Sequence, residues 1–201
     1  MTDTKEKILM TALHLFARDG FDAVSVSTIS GELGMTKGAL YKHYKNKRDI
    51  FDSIVERMFE IDAERSKQYQ VPEEQDCKQS VSWDSVRRFT LAQYIFWTQD
   101  DFARNFRKML SLEQYRDEEM AQLYHSCIMT GPVDYMESIF AQMMTDGMPI
   151  SADPRLLALE YYAPMFLLIS SSDYLDKGQS LALLKEHIDR FIIEHTRKEI
   201  Q

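Results

Sequence analysis

The chain has 201 residues, with 24 Lys and Arg against 32 Asp and Glu, and a formal charge of −8. At 44% hydrophobic and 28% charged it has a globular composition that disfavours disorder and can fill a real core. Taken as a single number, the acidity argues against a nucleic-acid partner, because phosphate binding calls for a basic surface.

The stretch Met1 to Lys7 lacks the apolar core of a signal peptide. The apolar run Met165-Phe166-Leu167-Leu168-Ile169 is far too short to cross a bilayer, so no membrane partner is expected. Cys77 and Cys127 form no CxxC pair, which points to a reducing, cytoplasmic setting. Seven glycines and five prolines are few, and helix-period patterning dominates; the expected fold class is all-α.

The first helix is predicted from Thr4 to Asp19, with Ile8, Leu9, Ala12, Leu13 and Phe16 as its apolar stripe and Gly20 as its stop. A second, short helix follows Ser25 as N-cap, with Ile29 and Leu33 facing inward and Gly34 ending it. Thr36 then caps a third helix from Lys37 to about Tyr44, anchored by Leu40. Asn46 with Asp49 three residues on resembles a capping box for a fourth helix carrying Ile50, Phe51, Ile54, Val55, Met58 and Ile61, running to about Tyr69. Val71-Pro72 breaks the pattern, and residues 72–82 read as a loop. Five or more helices follow from about Trp83, with interruptions near Asp100, Gly131-Pro132, Gly147 to Pro149, Pro154 and Lys177-Gly178.

Charge divides along this chain. Residues 1–48 hold eight cations and five anions, a balance of +3 that leaves −11 for the remainder. No acid falls between Lys37 and Arg48, where five cations and His43 stand. A basic head on an acidic body suits a module that meets anions in one place only.

The order of short helix, glycine turn and short helix is a helix-turn-helix layout, whose second helix presents its first residues to base edges in the major groove. Thr36 supplies a hydroxyl, Lys37 a donor for guanine O6 and N7, Gly38 a close backbone approach and Ala39 a contact for a thymine methyl. Tyr41, Lys42, His43 and Tyr44 offer phosphate donors, with packing as the competing role for the two tyrosines. Lys47 stands in the first turn of the fourth helix, where free N–H groups and the dipole favour anions.

The segment Val24 to Lys47, with Gly34, Lys37-Gly38, Leu40-Tyr41, His43-Tyr44 and Lys47 as its marks, resembles the DNA-binding segment of TetR/AcrR-type transcriptional regulators. Leu15-Phe16 and Gly20-Phe21 extend the similarity. The resemblance implies an N-terminal three-helix helix-turn-helix domain, taken as residues 1–48, plus a larger helical effector-binding and dimerisation domain, residues 49–201. It puts Ser25 where the family has a capping, phosphate-touching threonine, and Ser27 where some members place a base-reading arginine. Gly31 replaces a helix former and should weaken the second helix by about 1 kcal/mol relative to Ala. The implied partners are a double-stranded DNA operator, a second copy of the chain and a small-molecule effector; no cofactor and no metal are expected.

In the acidic body, Trp97, Met109 and Tyr124 are the candidate effector-pocket residues, from aromatic and methionine-rich helices that equally suit a plain core. Glu113, Asp117, Glu118 and Glu119 form an acidic cluster, and Glu160, amid leucines and tyrosines, calls for a partner or a neutral form. In the family the last two helices pair with their copies. That makes Leu159, Tyr162 and Phe166 of a helix over 154–171, and Leu184, Ile188 and Phe191 of one over 180–198, the candidate dimer residues; an internal core fits them as well. No HExxH, GxSxG, P-loop or dinucleotide motif supports an enzyme, and the five histidines form no local metal set. A helical interaction protein without DNA would leave Thr36 to Lys47 unexplained.

Overall fold

In a computed structural model, which describes residues 3–68, 81–148 and 152–196, every regular element among the described residues is helical. The all-α expectation holds. The expected loop over 72–82, with Cys77, and the helix ends at Tyr69 and Lys198 fall largely outside the described residues.

The helices form two compact units, one of residues 1–68 with 99–124 and one of residues 69–98 with 125–201. The boundary drawn at residue 48 therefore follows charge and not packing. The charge changes sign there, but Ile50, Phe51, Ile54 and Met58 carry the apolar face straight on into the same core.

The first unit begins with α1 (Asp3–Asp19), which buries Ile8, Leu9, Ala12, Leu13, Leu15 and Phe16. Its stop is Gly20 at φ +89°, whose N–H bonds the Phe16 carbonyl at 3.0 Å. α2 (Val26–Glu32), α3 (Lys37–Leu40) and α4 (Lys47–Gln68) follow, and then, after the second unit's first helix, α6 (Asp101–Glu113) and α7 (Glu118–Tyr124). Both α4 and α6 pack on α1. Asp100 caps α6 by accepting from the Ala103 N–H at 2.9 Å, and Asp117 caps α7 through Met120 N–H at 2.9 Å. The acidic cluster thus dissolves into separate duties: Asp117 is a cap, Glu119 pairs with Arg48, and Glu113 is buried.

The second unit comprises α5 (Trp83–Gln99), a π-helical turn (His125–Met129), α8 (Gly131–Thr145), α9 (Pro154–Ser170) and α10 (Lys177–Thr196). α8 lies against the π turn and α9, and α9 against α10. Its core is aromatic: Phe140, Tyr161 and Phe191 meet with centroids 4.9–5.8 Å apart, and Trp83 joins Phe140 at 5.7 Å. The Tyr161 hydroxyl lies 2.9 Å from Thr90 Oγ1, and the Tyr162 hydroxyl donates to the Ile128 carbonyl at 2.6 Å. Gly131 is required where the π turn meets α8, since a Cβ there would sit 1.9 Å from the Ser126 carbonyl oxygen. α10 starts three residues before the expected Ser180, because Asp176 caps it through Gln179 N–H at 2.8 Å.

Four of the expected dimer residues point the other way. Tyr162, Leu184, Ile188 and Phe191 are buried inside the unit, Phe166 is half-buried, and only Leu159 is exposed. The helical period holds, but the most apolar stripe of each helix fills its own core. The outward face of α9 instead shows Leu156 and Leu167, each 65% exposed, with Leu159 and Ala163; α10 shows Leu183 and Ile193. Glu160 lies on that outward face too, with His195 Nε2 3.3 Å from its carboxylate.

Candidate nucleic-acid interface

Local chemistry sets the geometry of residues 25–47. Ser25 Oγ accepts from the Thr28 N–H at 3.1 Å, while Thr28 Oγ1 accepts from Ser25 N–H at 3.4 Å, a reciprocal capping box that starts α2. Ser30 is buried and spends its hydroxyl on the Ser27 carbonyl at 3.1 Å. α2 ends in a Schellman turn: Gly34, at φ +62°, donates to Gly31 and Met35 donates to Ser30, at 3.0 and 2.9 Å. Thr36 then caps α3, its Oγ1 accepting from Ala39 N–H at 3.2 Å.

α3 is shorter than expected. After Leu40 the bonds tighten, with Lys42 N–H to Ala39 and His43 N–H to Leu40, so residues 41–43 form a turn rather than helix. Leu40 and Tyr44 are both buried and hold this turn to the core. Tyr44 is therefore a packing residue: its hydroxyl donates to the Lys5 carbonyl at 3.2 Å, the Lys5 ammonium lies 5.2 Å from its ring, and burial pushes the phenol up to about 12.

The remaining expected contacts lie outward. Ser25, Ser27, Thr36, Lys37, Gly38, Tyr41 and Lys42 are exposed, and Ala39 and His43 are half-buried. Tyr41 is 51% exposed, so packing does not account for it. The cations of the head sort into two sets. Lys7 pairs with Asp3, Arg18 with Asp19, and Arg48 with both Asp52 and Glu119. Lys37, Lys42 and Lys45 have no carboxylate within ion-pair distance among the described residues. Lys5 and Lys47 also lack a carboxylate partner among the described residues but are half-buried, against the Tyr44 ring and the Phe21 carbonyl, so the exposed unneutralised charge of the head lies on α3 and the segment after it.

At the start of α4, Asn46 Oδ1 accepts from Asp49 N–H and the Asp49 carboxylate accepts from Lys45 N–H, both at 2.8 Å. The return bond goes to the residue before the cap, one position off the expected box. Lys47 departs further from expectation. Its ammonium donates to the Phe21 carbonyl at 2.5 Å and lies 4.1 Å from the Phe21 ring centroid, and burial lowers its pKa.

The candidate effector residues divide between the units: Met109 and Tyr124 belong to the first and Trp97 to the second, where it meets Phe96 at 5.3 Å. All three are buried. Among the described residues no group of three or more His, Cys, Asp or Glu is placed to hold a metal ion, and no helix is long and apolar enough to cross a membrane.

A capped helix, a glycine Schellman turn and a second capped helix, whose exposed basic start has no carboxylate partner among the described residues, form a helix-turn-helix, the layout by which a second helix can enter a DNA major groove. Residues 8–54 match the family of bacterial regulatory proteins, tetR family, so this segment is similar to the DNA-binding segment of TetR-type regulators. Over 56 residues it is 41% identical to the uncharacterised HTH-type transcriptional regulator YerO of Bacillus subtilis, a stretch that is 28% of this chain and 19% of that protein. The chain covers from 19% to 32% of the length of the curated relatives it matches. Solved structures match over nearly the whole chain. One is a regulator from Saccharomonospora viridis in complex with choline (TM-score 0.67, 18% identity, covering 99% of this chain and 100% of that one). Another is SmeT, the repressor of the Stenotrophomonas maltophilia multidrug efflux pump SmeDEF (TM-score 0.64, 20% identity, covering 100% and 94%). At these identities the likeness is one of fold.

Proposed function

We propose that the chain is a sequence-specific transcriptional regulator acting in the cytoplasm, a repressor that binds a near-palindromic DNA operator as a homodimer and leaves it when a small molecule binds. The carrying observation is the set of unpaired cations, Lys37, Lys42 and Lys45, on and beside a capped α3 whose first residues are exposed. Acidic side chains elsewhere keep the rest of the surface from competing for phosphate.

The dimer reading rests on the outward faces of α9 and α10, where Leu156, Leu159, Leu167, Leu183 and Ile193 leave an apolar strip that a second copy would cover. Repression and effector release are supported by the structural neighbours, one a pump repressor and one holding choline. An effector that favours one spacing of the paired α3 helices shifts the population toward it, and DNA affinity follows that spacing. The reading assigns no catalytic residue.

Selection of bound duplexes from a random pool tests it. The expected product is a two-fold related pair of half-sites whose centres lie about 34–36 Å apart. A folded protein that enriches no sequence overturns the reading.

A further inference from the structure

We propose that Glu113 of α6 is a positioning residue for the DNA-reading head: through the backbone of Phe21 it sets where the Lys47 ammonium lies. The proposal rests on the DNA-binding reading above and adds to it a contact from outside the matched segment 8–54.

Phe21 is gripped from two sides. Its N–H donates to Glu113 Oε1 at 2.9 Å, and its carbonyl accepts from Lys47 Nζ at 2.5 Å. In a Schellman ending the amide of the residue after the positive-φ glycine would return to the helix carbonyl four or five residues back. Gly34-Met35 does this at the end of α2. At the end of α1 only Gly20 returns to Phe16, and the Phe21 amide is given to Glu113 instead. α1 thus ends in the simpler αL motif, which leaves the Phe21 amide without a helix carbonyl and free to meet a carboxylate from another element.

The site is built for that carboxylate. Glu113 is 2% exposed, and the guanidinium facing it, Arg116 Nη1, stands at 3.9 Å. Gly20 leaves it room, since a Cβ there would lie 2.7 Å from Oε1. Removing the acceptor would orphan the Phe21 amide. Phe21 in turn packs edge-to-face on Phe16 of α1 and Phe51 of α4, at 5.0 and 5.5 Å. A shift of α6 along α1 is thus felt at one residue, Phe21, whose preceding peptide meets Glu113 and whose following peptide holds Lys47. At the other end of α6, His14 Nε2 of α1 meets Asp101 at 2.6 Å, so the two helices are tied at both ends.

The test is a double-mutant cycle on a duplex selected by the wild-type protein, with amide exchange at Phe21 as a second readout. Glu113→Gln is expected to weaken duplex binding about fivefold with Lys47 present and less than twofold in a Lys47→Ala background. Exchange of the Phe21 amide should rise roughly tenfold as its charge-assisted bond weakens. Equal losses in both backgrounds, or unchanged exchange at Phe21, overturn the proposal. Should Glu113→Gln fail to fold, Glu113→Asp, which keeps the charge but shortens the reach, carries the same cycle. Should the wild-type chain select no duplex, the DNA-binding reading fails, and exchange at Phe21 decides the clasp by itself.

Discussion

The Tyr44 hydroxyl donates to the Lys5 carbonyl at 3.2 Å, tying the last residue of the reading segment to the first turn of α1. Three residues earlier Tyr41 stands exposed. Two tyrosines with interchangeable sequence roles are thus split by geometry, one structural and one available to a phosphate.

That split is measurable. Tyr41→Ala should leave the melting curve nearly unchanged and weaken binding to a selected duplex. Tyr44→Ala should lower stability by about 3–5 kcal/mol, the range for emptying an aromatic site in a core. Loss of folding in Tyr41→Ala would move it back into the core set.

Tyr44 also predicts an alkaline limit. Its phenol is raised to about 12 by burial, and Tyr161 likewise to about 12, from an ordinary 10. Both folded-state values lie above the unfolded one, so the folded chain holds more protons in that interval. The contribution is complete below pH 10 and is lost as pH rises from 10 to about 12. Unfolding followed against pH should show this loss, and Tyr44→Phe should reduce it.

Lys37 and Lys42 are exposed and unpaired, whereas Arg48 is held by Asp52 and Glu119. Replacing either lysine by Ala should lower the slope of log affinity against log salt by about 1. Arg48→Ala should leave that slope nearly as it was and act on stability instead. Equal slopes for all three variants would contradict the sorting of the cations.

Gly31 has open space around the position a Cβ would take. Gly31→Ala should therefore raise stability by about 1 kcal/mol without altering contacts. A chemical denaturation midpoint that does not move would show that α2 forms without regard to its own propensity.

The proposed dimer face offers a contrast between neighbours. Leu167→Glu, on the outward side of α9, should yield folded monomers in sedimentation. Leu184→Ala, inside the unit, should cost about 2–5 kcal/mol of folding stability. A Leu167→Glu protein that remains dimeric would place the partner elsewhere.

The head was legible because its signals are local. Caps at Ser25, Thr36 and Asn46, stops at Gly20 and Gly34, and the stripe of α1 each depend on a few adjacent residues, and all lie where they were read. The end of α3 was not legible, since residues 41–43 have ordinary helix-compatible identities and only the burial of Leu40 and Tyr44 draws the chain into a turn. The burial of the expected dimer residues has a similar reason: periodicity finds an apolar stripe, and α9 is apolar on nearly every side, so the pattern cannot say which side meets its own core. Lys47 and Glu113 escaped because their partner is the backbone of Phe21, 26 and 92 residues away in sequence. A backbone partner, whether N–H or carbonyl, leaves no residue type to read.

The single-turn length of α3 has a consequence for how its specificity changes over time. Within residues 36–44 the exposed positions Thr36, Lys37, Gly38, Tyr41 and Lys42 alternate with the buried anchors Leu40 and Tyr44. Apart from Thr36, which caps α3, the outward side chains can be exchanged with little effect on folding, while the anchors keep the segment's orientation constant. On the proposed DNA-binding function, operator preference is thereby free to drift through point substitutions that selection for stability does not notice, and one scaffold can be respecified for new sites without being rebuilt.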